Sequence, residues 1–370
     1  VNFEKVKEKL DHIDSLKGDE KIRPFVVYMN DEDFATVAKM TMDTRFTYKV
    51  SNIKPHATVV VATDDDVIST LLQFNSQKGV KKAQKEDLFA LARGTEARLN
   101  VTNRILKGNL GCGVGVKKLH DYAPGVVPYF EYMRCSKDMK KLAALDYESG
   151  VYSQLKSNGM FLDIILDGDG HAAYRTRNGH VLPLNIPFNT ADHILMRTTL
   201  SGEALVLDED GMVLPRAKGN GIINKAHEGT ITDEELSRIR FQLWDMVPNA
   251  DRRRGYRSTE YSERFADLKE VLEARSNDTF DLIETKIVYS LEEAWAHYDE
   301  VRARPKVHGK RLEGTIAKAH TAIWGDGTSA DQVKLKAEKE CELIVTGWNK
   351  GDAASKWANG LGSLRCQSSC

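Results

Sequence analysis

The spacing of apolar residues changes period near residue 130, and no single uniform fold accommodates both patterns. Before that point Leu88, Leu91, Leu99, Ile105 and Leu106 recur at roughly helical spacing, punctuated by Gly94 and Gly108. After Pro124, Gly125 and Pro128 the chain breaks into short apolar runs of strand length. These are Val151 to Leu155, Met160 to Leu166, His171 to Thr176 behind the turn Asp167-Gly168-Asp169-Gly170, Ala204 to Leu207, Phe241 to Val247, Leu282 to Val288 and Thr315 to Ala319. Tyr129 to Ala144 reads as a strand or linker leading into this region. Thr232 with Glu235, and Ser290 with Glu293 ahead of an amphipathic run through Arg304, have capping-box spacing. Strands and helices without regular alternation predict an α+β domain rather than a doubly wound sheet. At 370 residues the chain exceeds one ordinary core, so two or three domains are expected, with a boundary near residue 130.

The formal net charge of −1 conceals an uneven distribution. Between Lys78 and Lys118 the residues Lys78, Lys81, Lys82, Lys85, Arg93, Arg98, Arg104, Lys107, Lys117 and Lys118 face only Glu86, Asp87 and Glu96. A phosphate-binding surface and a solvated helical face both fit such a stretch. Gly111-Cys112-Gly113-Val114-Gly115 either brings backbone amides to a phosphate or makes a tight turn. The cysteines Cys112, Cys135, Cys341, Cys366 and Cys370 lack the paired spacing of a zinc or redox site and read as reduced thiols. No apolar run approaches the ~20 residues that cross a bilayer. Val1-Asn2-Phe3-Glu4-Lys5 lacks the apolar stretch of a secretory signal, and a cytoplasmic protein is expected.

Lys156-Ser157-Asn158-Gly159 lies between two strand-like runs, where glycine permits a sharp turn. A lysine there becomes a nucleophile only by losing its proton, which its ordinary pKa of about 10.4 opposes and burial or neighbouring cations favour. Alone, the tetrapeptide is equally a surface turn. An ordered series follows it: Thr176-Arg177-Asn178-Gly179, Ser201-Gly202-Glu203-Ala204-Leu205-Val206, Phe241-Gln242-Leu243-Trp244-Asp245, Glu313-Gly314-Thr315-Ile316-Ala317-Lys318 and Val333-Lys334-Leu335-Lys336. Singly, each has a bland reading as surface charge or core aromatic.

The ordered series resembles the nucleotidyltransferase motifs of ATP-dependent DNA ligases, and most closely the T-even-type phage enzymes. Gly219 to Lys225, Glu228 to Thr232, Phe241 to Pro248 and Ile105 to Pro128 extend the resemblance, which is strongest from Tyr152 to Trp348. It implies a multidomain chain: an all-α DNA-binding domain over 1–130, an α+β adenylation domain of antiparallel sheets and helices over 131–338, and the start of an OB-fold over 339–370. It also implies that Lys156 attacks the α-phosphorus of ATP to form lysyl-AMP. Arg177, Glu203, Trp244, Lys334 and Lys336 would contact the nucleotide, with Trp244 on adenine, while Glu313 and Glu203 would hold Mg²⁺. Lys107, Gly113, Lys117 and Lys118 would bind DNA. The partner implied is duplex DNA with nicks or ends, joined by a monomer in the cytoplasm of a phage-infected bacterium.

Two departures stand out. The family has KxDG at the nucleophile where this chain has Asn158, and an arginine just beyond the glycine where it has Met160 and Phe161. Glu342 to Trp348 and Gly360 to Cys366 match the first two strands of a barrel that needs five, and the family's closing basic motif is expected beyond Cys370, so that the first step from ATP would be impaired. Two other readings stay open: an RNA ligase or guanylyltransferase using the same lysine, and a nick- or duplex-binding protein that does not adenylate.

Overall fold

A computed structural model describes residues 1–54, 58–77, 79–188, 195–274, 278–336, 343–351 and 360–368. Lys78, Cys341, Glu342 and Cys370 lie outside the described residues. The chain divides into two compact units, Val1–Tyr129 with Glu338–Cys370, and Phe130–Ala337.

In Val1–Tyr129 the described regular elements are helical: α1 (Phe3–Ser15), a 3₁₀ turn (Gly18–Lys21), α2 (Ile22–Tyr28), α3 (Glu32–Met42), α4 (Asp64–Ser76), α5 (Lys82–Ala92), α6 (Glu96–Leu106) and α7 (Val116–Tyr122). Asn2, Asp31, Thr63 and Thr95 cap four of them, each side chain accepting a first-turn amide that the helix cannot satisfy itself. Phe3, Val6, Leu10 and Ile13 line one face of α1 and are buried with Phe25, Phe34, Leu71, Phe74 and Val101. The irregular stretch between α3 and α4 is pinned. Thr47 N donates to Asn75 Oδ1 at 2.7 Å, the Tyr48 hydroxyl to Met40 O at 2.7 Å, and Ile53 N to Asn103 Oδ1 at 2.8 Å.

In Phe130–Ala337 the order is β1 (Met133–Ser136), α8 (Met139–Ala143), β2 (Val151–Leu155), β3 (Met160–Leu166), β4 (Ala172–Thr176), β5 (Val181–Leu182), β6 (Thr198–Val206), α9 (Arg216–Glu228), α10 (Asp233–Ser237), β7 (Ile239–Pro248), α11 (Asn249–Arg254), β8 (Tyr256–Glu260), α12 (Tyr261–Glu273), β9 (Phe280–Leu282), β10 (Thr285–Val288), α13 (Leu291–Ala303), β11 (Gly314–Ala319), β12 (Ile323–Gly325) and β13 (Gly327–Lys336). One sheet runs β1-β13-β11-β2-β10 and a second runs β5-β4-β3-β6-β7-β9, while β8 and β12 form a two-stranded ribbon. Pairing is antiparallel except at β1–β13 and β7–β9, which are parallel. Helix α12 serves both cores: Tyr261 and Phe265 pack on the first sheet, and Leu268, Val271 and Leu272 on the second. The fold is thus multidomain and mixes helix with sheet.

The sheets are joined by short crossings. Lys156 to Gly159 link β2 to β3, and Ile283-Glu284 link β9 to β10. The run Leu282 to Val288 is therefore two strands: Leu282 pairs with β7, whereas Thr285 begins the pairing with β2. The end of β2 is bonded to the second crossing, since Leu155 N donates to Glu284 O at 2.9 Å. At α13 the Ser290 side chain caps Glu293 N, but the Glu293 carboxylate accepts from Tyr289 N rather than from the capping residue. On the second sheet Asp163 is almost fully buried and accepts from Ser201, Arg175 and a bidentate Arg252, whose guanidinium also donates to Glu131 O. Removing Asp163 would leave the buried Arg252 without a carboxylate, whereas Asp163 without Arg252 would keep only Arg175.

β14 (Leu343–Lys350) and β15 (Leu361–Ser368) form an antiparallel hairpin.

Candidate active site

Lys156 stands at the first residue past β2, its amide donating to Gly314 O at 2.9 Å across to β11. Its ammonium donates to the carboxylate of Glu313, which directly precedes β11. Ser157 Oγ reaches Gln242 Oε1 on β7, and Gly159 N donates to Glu203 Oε1 on β6 at 3.0 Å. Gly159 is forced by proximity: a Cβ there would lie 2.2 Å from Ala204 O. Asn158 Oδ1 is buried and has no hydrogen-bond partner among the described residues.

The floor is one row of the second sheet, because Phe161 on β3, Glu203 on β6 and Gln242 on β7 are directly opposed across the strands. Alternation along β7 puts Trp244 on the same half-buried face as Gln242. The Phe161 and Trp244 rings lie 6.0 Å apart. Just beyond β4, the exposed Arg177 guanidinium lies against two adjacent aromatic rings, 5.2 Å from Tyr132 and 5.3 Å from Phe161, whose centroids are 5.9 Å apart. From the first sheet β13 presents Lys334 and Lys336, opposite Ile316 and Gly314 of β11.

Charge is concentrated here. Burial raises the Glu203 carboxyl above its ordinary range, opposed by the Gly159 N–H and by the charges of Lys156, Arg216 and Arg177. Burial lowers the Lys334 ammonium; the Cys135 thiol opposes that shift, while Lys137, Lys336 and Lys156 add to it. Lys318, at the inner end of the same pocket wall, is pushed down to about 8 by burial. It donates to the Tyr261 hydroxyl at 3.2 Å and lies over the Tyr261 and Trp244 rings. Glu313 and Glu203 both act on Lys156, and the orphaned Asn158 Oδ1 belongs to the same crossing, two residues after Lys156. Such oxygen donors suit a hard divalent cation. Among the described residues, a group of closely spaced metal-ligating side chains occurs elsewhere, at the exposed Asp167, Asp169 and His171, where Asp167 already accepts from the amides of Asp169 and His171.

In sequence the chain is 23% identical over 291 residues to the DNA ligases of Enterobacteria phages T6 and T4, covering 69% of this chain and 58% of each relative. It resembles the phage DNA ligases. It is also 28% identical over 185 residues to the multifunctional non-homologous end joining protein LigD of Pseudomonas aeruginosa, covering 49% of this chain and 20% of that one. The solved structures Pmar-Lig_Pre and Pmar-Lig_PreS3 share its fold, with TM-scores of 0.69 and 0.67, identities of 15% and 16%, and coverage of 98% of this chain and 84% of each of theirs. No protein-family model matches the chain. The chain spans little more than half the length of the phage ligases.

Elsewhere, Lys107 follows α6 as its C-cap, and Lys117 and Lys118 lie on α7, paired with Asp121 at 3.3 Å and Asp19 at 2.7 Å. Gly113 takes φ +76°, and Lys21 donates to the neighbouring Cys112 O. Sequence reading passed over Tyr132, Gln242 and Cys135, which also face the pocket. Burial raises the Cys135 thiol, against the pull of Lys318, Lys334, Lys156 and Arg177. Gln242 alternates with Trp244 and was legible from that spacing, whereas nothing in the stretch around Tyr132 marked it. No described helix is long and apolar enough to cross a membrane.

Proposed function

We propose that the chain is the greater part of an ATP-dependent DNA ligase with Lys156 as its nucleophile. The observation that carries this is the placement of one lysine at the crossing between two sheets, bonded to Glu313 and in electrostatic reach of Glu203 and Lys334, with Arg177 and Trp244 both against Phe161 on the same sheet row. The sequence likeness to phage DNA ligases supports the reading.

In this scheme the Lys156 Nζ–P bond forms at the α-phosphorus of ATP as the bond to pyrophosphate breaks, and Nζ gives up its proton. Trp244 stacks on adenine beside Phe161, Glu203 lies near the ribose, and Arg177, Lys334 and Lys336 neutralise phosphate oxygens. Glu313 and Glu203, with Asn158 Oδ1, would hold Mg²⁺, which supplies charge neutralisation at those oxygens. AMP then passes to the 5′-phosphate at a break in duplex DNA, and the 3′-hydroxyl displaces it. We assign residues 1–130 to binding the duplex, 131–338 to adenylation and 339–370 to the first strands of an OB-fold.

The test is intact mass before and after incubation with ATP and Mg²⁺, alongside Lys156→Ala, followed by sealing of a nicked duplex. Because the first step is expected to be impaired, a slow gain of one AMP in the parent alone, followed by a sealed strand, is expected; no gain in the parent even after prolonged incubation would overturn the reading.

A further inference from the structure

We propose that a cleft between the 49–54 stretch and α5 binds the phosphate backbone of duplex nucleic acid flanking the break. The proposal rests on the ligase reading for its substrate but concerns a site in Val1–Tyr129, not the surroundings of Lys156.

The cleft encloses about 390 Å³ and is lined by Lys49, Lys54, Lys82 and Lys85, with Glu86 as its one acid. Its floor is the buried ring of Phe89 with Val50, and Ser51 and Asn52 add polar groups at the rim. On α5, Lys82, Lys85, Glu86 and Phe89 stand at helical spacing and so share one face.

Two features separate this cluster from an ordinary solvated face. First, the lysines are poorly neutralised: Lys82 stands 3.7 Å from Glu86, and the Lys54 and Lys85 ammonium groups have no ion pair or hydrogen bond with a described residue. Lys117 and Lys118, by contrast, each pair with an aspartate. Second, the opposing wall is held in place. Lys49 adopts φ +55°, a left-handed conformation uncommon outside glycine. Its ammonium donates to Phe74 O and Gln77 O at the end of α4, while Tyr48 and Ile53 are anchored to Met40 and Asn103. The fixed backbone presents Lys54 to the cleft shared with Lys82 and Lys85, while the Lys49 charge stays at the cleft's edge on neutral carbonyls, without the entropy loss of ordering a loose loop.

Four ammonium groups against one carboxylate favour a polyanion, and lysines acting as point charges recognise phosphates without reading sequence. An apolar floor under a charged rim suits a sugar-phosphate chain laid across it.

The test is binding of a fluorescently labelled, unbroken duplex to the full chain across a salt series, comparing the parent with Lys54→Ala/Lys85→Ala and with a control pair on α12 and β10, Lys269→Ala/Lys286→Ala. The cleft variant should bind roughly tenfold more weakly at fixed salt, with the slope of log K against log salt shallower by about 0.9 per lysine. A matching circular dichroism spectrum and melting curve would show that it folds. Unchanged affinity and slope, or an equal loss in the control pair, would overturn the proposal. Absence of an AMP mass gain in the parent would sink the ligase reading instead, whatever the duplex data show.

Discussion

The Lys156 ammonium donates to the carboxylate of Glu313, a residue 157 positions further along the chain. While that bond holds, the nitrogen has no lone pair to offer. Glu313→Gln keeps the shape and removes the charge, and adenylation by ATP and Mg²⁺ should slow roughly a hundredfold. Lys156→Ala should show no adduct at all. The check is the rate of AMP mass gain at saturating ATP; an unchanged rate in Glu313→Gln would remove Glu313 from the chemistry.

Asn158 offers a second measurement. Its buried Oδ1 lacks a partner, an arrangement that costs about 1–3 kcal/mol. Asn158→Ala should therefore melt at or above the parent temperature while adenylating more slowly. Asn158→Asp puts a buried, unpartnered carboxylate on the crossing that carries Lys156, so it should melt lower in chelator and recover when Mg²⁺ is added. A melting temperature that ignores Mg²⁺ would argue against a metal at these oxygens.

The strand runs around Lys156 were legible as short apolar runs of strand length, because β3 and β6 are buried along most of their length; only β7 shows a sustained alternation. The split of Leu282 to Val288 was not, since a crossing of two residues leaves an apolar run looking continuous. Nor was the pairing of Lys118 with Asp19, because counting charges in a window omits a partner 99 positions away. The Asp163–Arg252 contact spans 89 positions and has no local signature. Parallel pairing at β1–β13 and β7–β9 likewise depends on strands far apart in the chain.

Lys318 gives a pH dependence. Burial lowers its folded pKa from 10.5 to about 8, so the native chain binds fewer protons than the unfolded one between those values. The stability this group contributes is fully present above 10.5 and lost as pH falls through 8. Lys318→Met should gain up to about 3 kcal/mol over the parent at neutral pH, with the difference closing as pH rises across that window. Parallel melting series of the two proteins check this, and a gap independent of pH would contradict it.

Arg177 is held by two rings rather than by a carboxylate. Arg177→Lys replaces a planar, stacking cation with a flexible one, and the KM for ATP in adenylation should rise roughly tenfold. Phe161→Ala should shift it in the same direction by loosening the guanidinium. If Phe161→Ala leaves KM untouched, the ring is packing and not a clamp.

The bonds on either side of the turn give the nucleophile a mechanical position as well as a chemical one. Leu155 N is held by Glu284 O and Lys156 N by Gly314 O, so the backbone beneath the ammonium is staked from two directions before any substrate arrives. The nitrogen is thereby aimed by structure already formed, and the ordering of a loose loop is not charged against the reaction.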